Sequence, residues 1–131
     1  MKKPDRYIFL DRDGIINVDK GYVFRPVDVE FVPGIIEFLR EVQLQGFNLI
    51  VVTNQSGIGR GLYSEEEFNY LTLWLEQELL VNSIKILETF NCPYHPEFGL
   101  GKYKKDSCDR KPQPGMILKA ASKYGIDLKY S

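Results

Sequence analysis

The sequence predicts an α/β fold built on a parallel sheet with helices on both faces. Two observations carry this. Short apolar, β-rich runs recur at residues 7–10, 48–53 and 84–90, each of the length of a buried strand. Between and after them lie three stretches whose apolar residues recur at helical spacing. The order strand, helix, strand, helix, strand, helix calls for right-handed crossovers and a sheet covered on both sides.

The elements follow in order. "YIFL" (7–10) is the first strand. "VPGIIEFLREVQLQG" opens with Pro33 and closes on Gly46, with Ile35, Phe38, Leu39 and Val42 along one face, so it reads as an amphipathic helix with a glycine stop. "NLIVVT" (48–53) is the second strand, followed by a glycine-rich loop, "NQSGIGRGLY" (54–63). "SEEE" (64–67) is a capping box, with Ser64 as N-cap and Glu67 reaching back. Phe68, Leu71, Leu75 and Leu79 continue that helix. "IKILETF" (84–90) is the third strand, residues 91–113 a long loop, and 114–125 a helix with Pro114 near its start and Gly125 near its end.

At 131 residues, with 44% hydrophobic and 27% charged residues, the chain is expected to form one soluble domain, 1–131, around a single core. No apolar run approaches a membrane span, and "MKKPDRY" lacks the apolar stretch of a secretory signal, so no membrane partner and a cytoplasmic location are expected. Two cysteines do not make a disulfide framework. A net charge of −1 supplies no general field for nucleic acid. Lys102, Lys104, Lys105, Arg110 and Lys111 form a basic stretch. With only Tyr103 to stack bases it reads as a solvated loop, and no nucleic-acid partner is expected.

In parallel sheets of this kind, sites gather beyond the carboxyl ends of the strands, where Asp11 and Thr53 fall. Alternation along an extended segment puts Asp11 and Asp13 on the same side, roughly 6–7 Å apart. Two such carboxylates can divide labour, one attacking phosphorus and the other moving protons. They also suit Mg²⁺, which takes one or two carboxylates and keeps several waters. Alone, D-x-D-G is equally a turn. Thr53, Asn54, Gln55 and Ser56 add a hydroxyl, amides and backbone N–H groups. Gly57, Gly59 and Gly61 would let the backbone approach a ligand closely. Arg110 and Lys111, before the last helix, can hold a phosphate as fork and point charge.

"FLDRDGIIN", "VVTNQSGIGRGLYSEEEF" and "DRKPQPGMILKAA" resemble motifs I, II and III of the haloacid dehalogenase (HAD) superfamily. With "GYVFRPVDVEFVPG" between them, the chain resembles the subgroup that contains D-glycero-D-manno-heptose 1,7-bisphosphate phosphatases and histidinol-phosphatases. The resemblance implies a Rossmann-like sheet of the HAD type and Mg²⁺-dependent hydrolysis of a small phosphorylated sugar through an aspartyl phosphate. It implies Asp11 as nucleophile, Asp13 as acid–base, and Thr53 and Lys111 as phosphoryl stabilisers. Asp19, Lys20, Gly21, Tyr22, Asn54, Gln55, Ser56 and Arg110 would bind substrate. Mg²⁺ would rest on the Asp11 carboxylate and the Asp13 carbonyl.

Two departures from the subgroup pattern follow. Many members carry C-x-H and then C-x-C in the long loop; here only Cys92 keeps register, with His95 and Cys108 each one position off and Asp109 beside them. Zinc is therefore not expected. The chain also stops at "YGIDLKYS", before the acidic motif IV whose strand neighbours the first one in this superfamily, and Asp127 does not replace that motif. The reading is a HAD domain lacking its C-terminal strand or strands and the third acidic ligand to Mg²⁺. It would be monomeric, with self-association through the open strand edge as a liability. The alternatives are a histidinol-phosphatase and a non-catalytic phosphate-ligand binder.

Overall fold

A computed structural model of the chain describes residues 6–94, 99–104, 107, 110–111 and 115–126. Three strands form one parallel sheet in the order β1-β2-β3: β1 (Arg6–Leu10), β2 (Phe47–Asn54) and β3 (Ile86–Cys92). Ile8 pairs with Leu49 and Phe9 with Ile50; on the other side Val52 pairs with Phe90 and Thr53 with Asn91. Among the described residues β1 pairs with β2 alone.

Side chains of β2 alternate between two apolar layers, as a strand buried on both faces requires. Leu49 and Val51 face one layer, with Leu10, Ile86, Leu39 of α1 (Ile35–Leu44) and Leu79 of α3 (Glu65–Val81). Ile50 and Val52 face the other, with Tyr7, Cys92, and Met116 and Ala120 of α4 (Gly115–Tyr124). Both crossover helices thus lie on one face and α4 on the opposite one. Between β2 and α3 sits α2, a single turn at Ser56–Gly59.

Several boundaries differ from the sequence reading. The first helix starts at Ile35, because Gly34 before it is left-handed (φ +84°), and Gly46 (φ +92°) ends it. Within it Phe38 is half-exposed at 51% and Ile36 packs on the core in its place, while Val42 packs there as expected. The expected loop 54–63 contains α2. The third strand runs over 86–92 and not 84–90: the chain leaves α3 through left-handed Ser83, and the Ile84 N–H still bonds to Leu79 O at 2.9 Å. Leu87 is then an extra residue in the ladder, since Leu49 pairs with Ile86 and Ile50 with Glu88. The long loop holds a 3-10 turn at Gly101–Tyr103. The capping box is formed as read, with Ser64 Oγ accepting from Glu67 N and Glu67 Oε1 from Ser64 N, both at 3.0 Å.

Two smaller apolar clusters fasten the loops that rim the carboxyl ends of the strands. Val23 packs on Leu71 and Leu75 of α3, and Ile58 on Tyr63 and Phe68. The 14–32 segment is also tied down by backbone bonds from Val18 N to Glu30 O (2.7 Å) and from Val32 N to Ile16 O (3.0 Å).

Candidate active site

Strand β1 ends at Leu10, so Asp11, Arg12 and Asp13 lie on a bend beyond it and not on an extended strand. The two carboxylates do reach one pocket, of about 480 Å³, lined by Asp11, Asp13, Asp19, Asn54 and Lys111. The bend brings them there, not the expected strand alternation, and it turns Arg12 inward.

Asp11 takes two bonds on one oxygen. Its Oδ1 accepts from Arg12 N at 2.8 Å and from Lys111 Nζ at 2.9 Å. Oδ2 has no hydrogen-bond partner among the described residues, and the side chain is 43% exposed. Lys111 is itself held in place: its N–H donates to Asn54 Oδ1 (2.9 Å), its carbonyl accepts from Asn54 Nδ2 (3.2 Å), and Nζ also reaches Val52 O (3.1 Å). Residues from the ends of β1 and β2 and from the loop before α4 thus converge on one carboxylate.

Asp13 is gripped through both oxygens. Oδ1 accepts from Arg12 Nε (3.2 Å), Arg12 Nη2 (3.1 Å) and Asn17 Nδ2 (2.9 Å). Oδ2 accepts from Arg12 Nη2 and Gln55 Nε2, both at 3.1 Å. Gln55 uses all of its amide: Nε2 also donates to Thr53 Oγ1 (2.8 Å), while Oε1 accepts from Arg12 Nη2 (3.2 Å) and from the Tyr63 hydroxyl. Burial pushes the Tyr63 phenol up to about 12, against the pull of the Arg12 charge, so it stays a donor.

Arg12, Asn17 and Tyr63 were not singled out in the sequence. Arg12 is 2% exposed, stacks over the Phe68 ring at 5.7 Å, and donates to Val23 O at 2.9 Å. Asn17 is fully buried. Arg12 stands two residues past the end of β1, and once the bend buries it, its charge needs the partners it finds there.

The other expected residues divide. Gly21, Tyr22, Asp19, Asn54 and Gln55 line a second, adjoining pocket of about 220 Å³ with Asp13 and Tyr63. Thr53 is buried, its hydroxyl engaged by Gln55, and it lines neither pocket. Ser56 opens α2. Lys20 is exposed, 4.0 Å from Glu30, and Arg110 donates to Tyr94 O at 3.2 Å; neither lines these pockets. The glycines have a different use from the expected one. A Cβ on Gly57 would stand 2.2 Å from the Tyr63 ring, and one on Gly59 would stand 2.4 Å from Pro93 O, so both make room for protein and not for a ligand. Of the residues weighed for zinc, Cys92 is buried at the end of β3, and His95, Cys108 and Asp109 lie outside the described residues, as do Lys105, Pro114 and Asp127.

The donor set suits a small hard cation. Among the described residues three carboxylates and one ammonium line the pocket, so these groups give it surplus negative charge. No group of three or more His, Cys, Asp or Glu is arranged around a metal position among the described residues.

No family model matches the chain. It is 45% identical, over its whole length, to the D-glycero-beta-D-manno-heptose-1,7-bisphosphate 7-phosphatase of Vibrio cholerae serotype O1, of which it covers 69%. The chain belongs to the heptose 1,7-bisphosphate phosphatase family of HAD-like phosphatases. Its fold matches a solved HAD-like phosphatase of Mesorhizobium loti with a TM-score of 0.87 at 32% identity, over 95% of this chain and 59% of that one. It also matches the D,D-heptose 1,7-bisphosphate phosphatase of B. bronchiseptica, solved with magnesium and phosphate, with a TM-score of 0.82 at 29% identity over 94% of this chain and 65% of that one. This family member thus spans about two thirds of the length of its curated relatives, at 69% and 66% for two of them. No helix among its described residues is long and apolar enough to cross a membrane.

Proposed function

We propose that the chain hydrolyses a phosphomonoester of a small phosphorylated sugar, D-glycero-D-manno-heptose 1,7-bisphosphate at its 7-phosphate, through an aspartyl phosphate on Asp11. The observation that carries this is the asymmetry of Asp11. Lys111 and the Arg12 N–H hold Oδ1, leaving Oδ2 without a hydrogen-bond partner among the described residues on a half-exposed side chain in an open pocket.

In the first step Asp11 Oδ2 attacks phosphorus, the bond to the sugar oxygen breaks, and Asp13 gives its proton to that oxygen. In the second, Asp13 takes a proton from water. The hydroxide attacks the phosphorus of the aspartyl phosphate, releasing inorganic phosphate and restoring Asp11. Lys111, fixed by Asn54, neutralises charge on the transferring group. Asp19, Gly21 and Tyr22 would line the sugar side. Thr53 serves through Gln55, which fixes Asp13.

Mg²⁺ would be held by the Asp11 carboxylate and the Asp13 carbonyl, and would offset the charge that the pocket's carboxylates place against a phosphate. The names of the relatives and the magnesium and phosphate in the B. bronchiseptica structure support this reading. The test is phosphate release from heptose 1,7-bisphosphate with Mg²⁺. Turnover by the purified chain and its loss in Asp11→Asn are expected; tight binding without release would favour a non-catalytic binder.

A further inference from the structure

The Arg12 guanidinium is unevenly matched. Nη2 has two protons and four acceptors: both Asp13 oxygens at 3.1 Å, Val23 O at 2.9 Å and Gln55 Oε1 at 3.2 Å. Nη1 is buried and meets no hydrogen-bond partner among the described residues, on a side chain only 3% exposed. A buried charged donor without a hydrogen-bond partner is costly, more so than a neutral one. Thr72 Oγ1, on α3, is a second buried atom with no such partner.

Arg12 and Thr72 line the same cavity, which lies between α3 and the sheet and opens about 20 Å³ to water. Roughly 10–15 Å³ holds one molecule, provided it finds two or more polar partners. Much of the wall is apolar (Ile16, Val51, Leu75), so the polar groups are few. Glu76, whose carboxylate accepts from Thr89 Oγ1 at 3.3 Å, also lines the space.

We propose that this cavity is an ordered-water site, and that through it Thr72 is a positioning residue for Asp13. The water accepts from Arg12 Nη1–H and donates to Thr72 Oγ1, with the Glu76 carboxylate as its second acceptor. Fixing Nη1 holds the guanidinium plane, which in turn holds both oxygens of Asp13. The step from Asp13 orientation to rate rests on the phosphatase reading; the water site and the orientation do not.

The experiment pairs crystal structures of the parent, Thr72→Val and Thr72→Ser with kinetics on heptose 1,7-bisphosphate and Mg²⁺. In the parent, density is expected in the cavity within hydrogen-bond reach of Arg12 Nη1 and Thr72 Oγ1, with Asp13 in one rotamer. Thr72→Val, nearly the same shape, should lose that density and disorder Asp13. It should lower kcat about threefold to tenfold at unchanged KM, the scale of one lost hydrogen bond, and Thr72→Ser should restore both. A dry cavity in the parent, or an unmoved Asp13 and parental kcat in Thr72→Val, overturns the proposal. A parent without turnover but with the water bound, and with Asp13 displaced in Thr72→Val, supports the site and removes the phosphatase reading alone.

Discussion

Asp11 carries its two hydrogen bonds on Oδ1, and Asp13 is bonded on both oxygens; the proposed roles of nucleophile and held acid–base rest on that difference. Asp11→Asn removes the attacking charge while an amide oxygen can still accept from Lys111. The expected outcome is a fall in turnover of about three orders of magnitude or more, with the far-ultraviolet spectrum unchanged. Turnover near the parent rate would sink the assignment. Tyr63 offers a test by titration. Its phenol ionises at about 12 instead of 10.0, because burial disfavours the charge more than Arg12 favours it. A folded-state value above the unfolded one contributes stability that is present below pH 10 and is lost as the pH rises through 12. An alkaline absorbance titration of the parent minus Tyr63→Phe should therefore show one phenol ionising near 12, and a difference curve centred on 10 would contradict the buried Tyr63–Gln55 contact. That Asp11 and Lys111 meet in one pocket agrees with the sequence reading, which took them from their residue types and places beside the strand ends. Arg12 was not legible there, since a cation between two carboxylates looks solvated until the bend after Leu10 turns it inward.

At the scale of elements, what could be read depended on how local the signal was. The Ser64–Glu67 box lies within four residues and formed as read; Ser64→Ala should cost about 1 kcal/mol, measured by denaturant unfolding. The third strand slid by two residues because its start is set by how α3 ends at Asn82 and left-handed Ser83, which no apolar pattern records. Likewise the glycines after β2 looked ligand-facing, but the neighbours that demand them, Tyr63 and Pro93, are brought in by tertiary packing. Helix α4 is clasped to β3 by Glu88, which accepts from Lys123 Nζ and the Tyr124 hydroxyl. Burial pushes the Glu88 carboxyl up, but these two donors outweigh it and hold it below its ordinary 4.5. A lowered folded-state value contributes stability present above 4.5 and lost as the pH falls through the lowered value. Lys123→Met should thus lower Tm slightly at neutral pH, and the gap from the parent should close in acid. A gap that persists at the acid end would mean the methionine changed packing instead.

For the whole molecule, the charge balance makes the clearest demand. The chain is nearly neutral at −1, so its net charge supplies no long-range field to draw an anionic ligand inward. Among the described residues the pocket is lined by Asp11, Asp13 and Asp19 against Lys111 alone, with Arg12 buried behind Asp13. Like charges confined together oppose folding, and a bound divalent cation would relieve that repulsion and also admit a phosphate. Anything that binds the native state alone stabilises it by RT ln(1 + [L]/Kd), about 2.7 kcal/mol when the ligand is at about 100 times Kd. For a chain of this size each kcal/mol moves Tm by roughly 2–8 °C. Titrating Mg²⁺ into metal-stripped protein should therefore raise Tm progressively, by up to several degrees, and stripping the metal should return it. Asp11→Asn should abolish most of the rise, because it removes the carboxylate proposed to hold the ion. Phosphate added without Mg²⁺ should raise Tm little, and more once Mg²⁺ is present. A Tm indifferent to Mg²⁺, or an equal rise in Asp11→Asn, would show that the cation does not rest on Asp11 and that Lys111 meets the charge of the phosphate by itself.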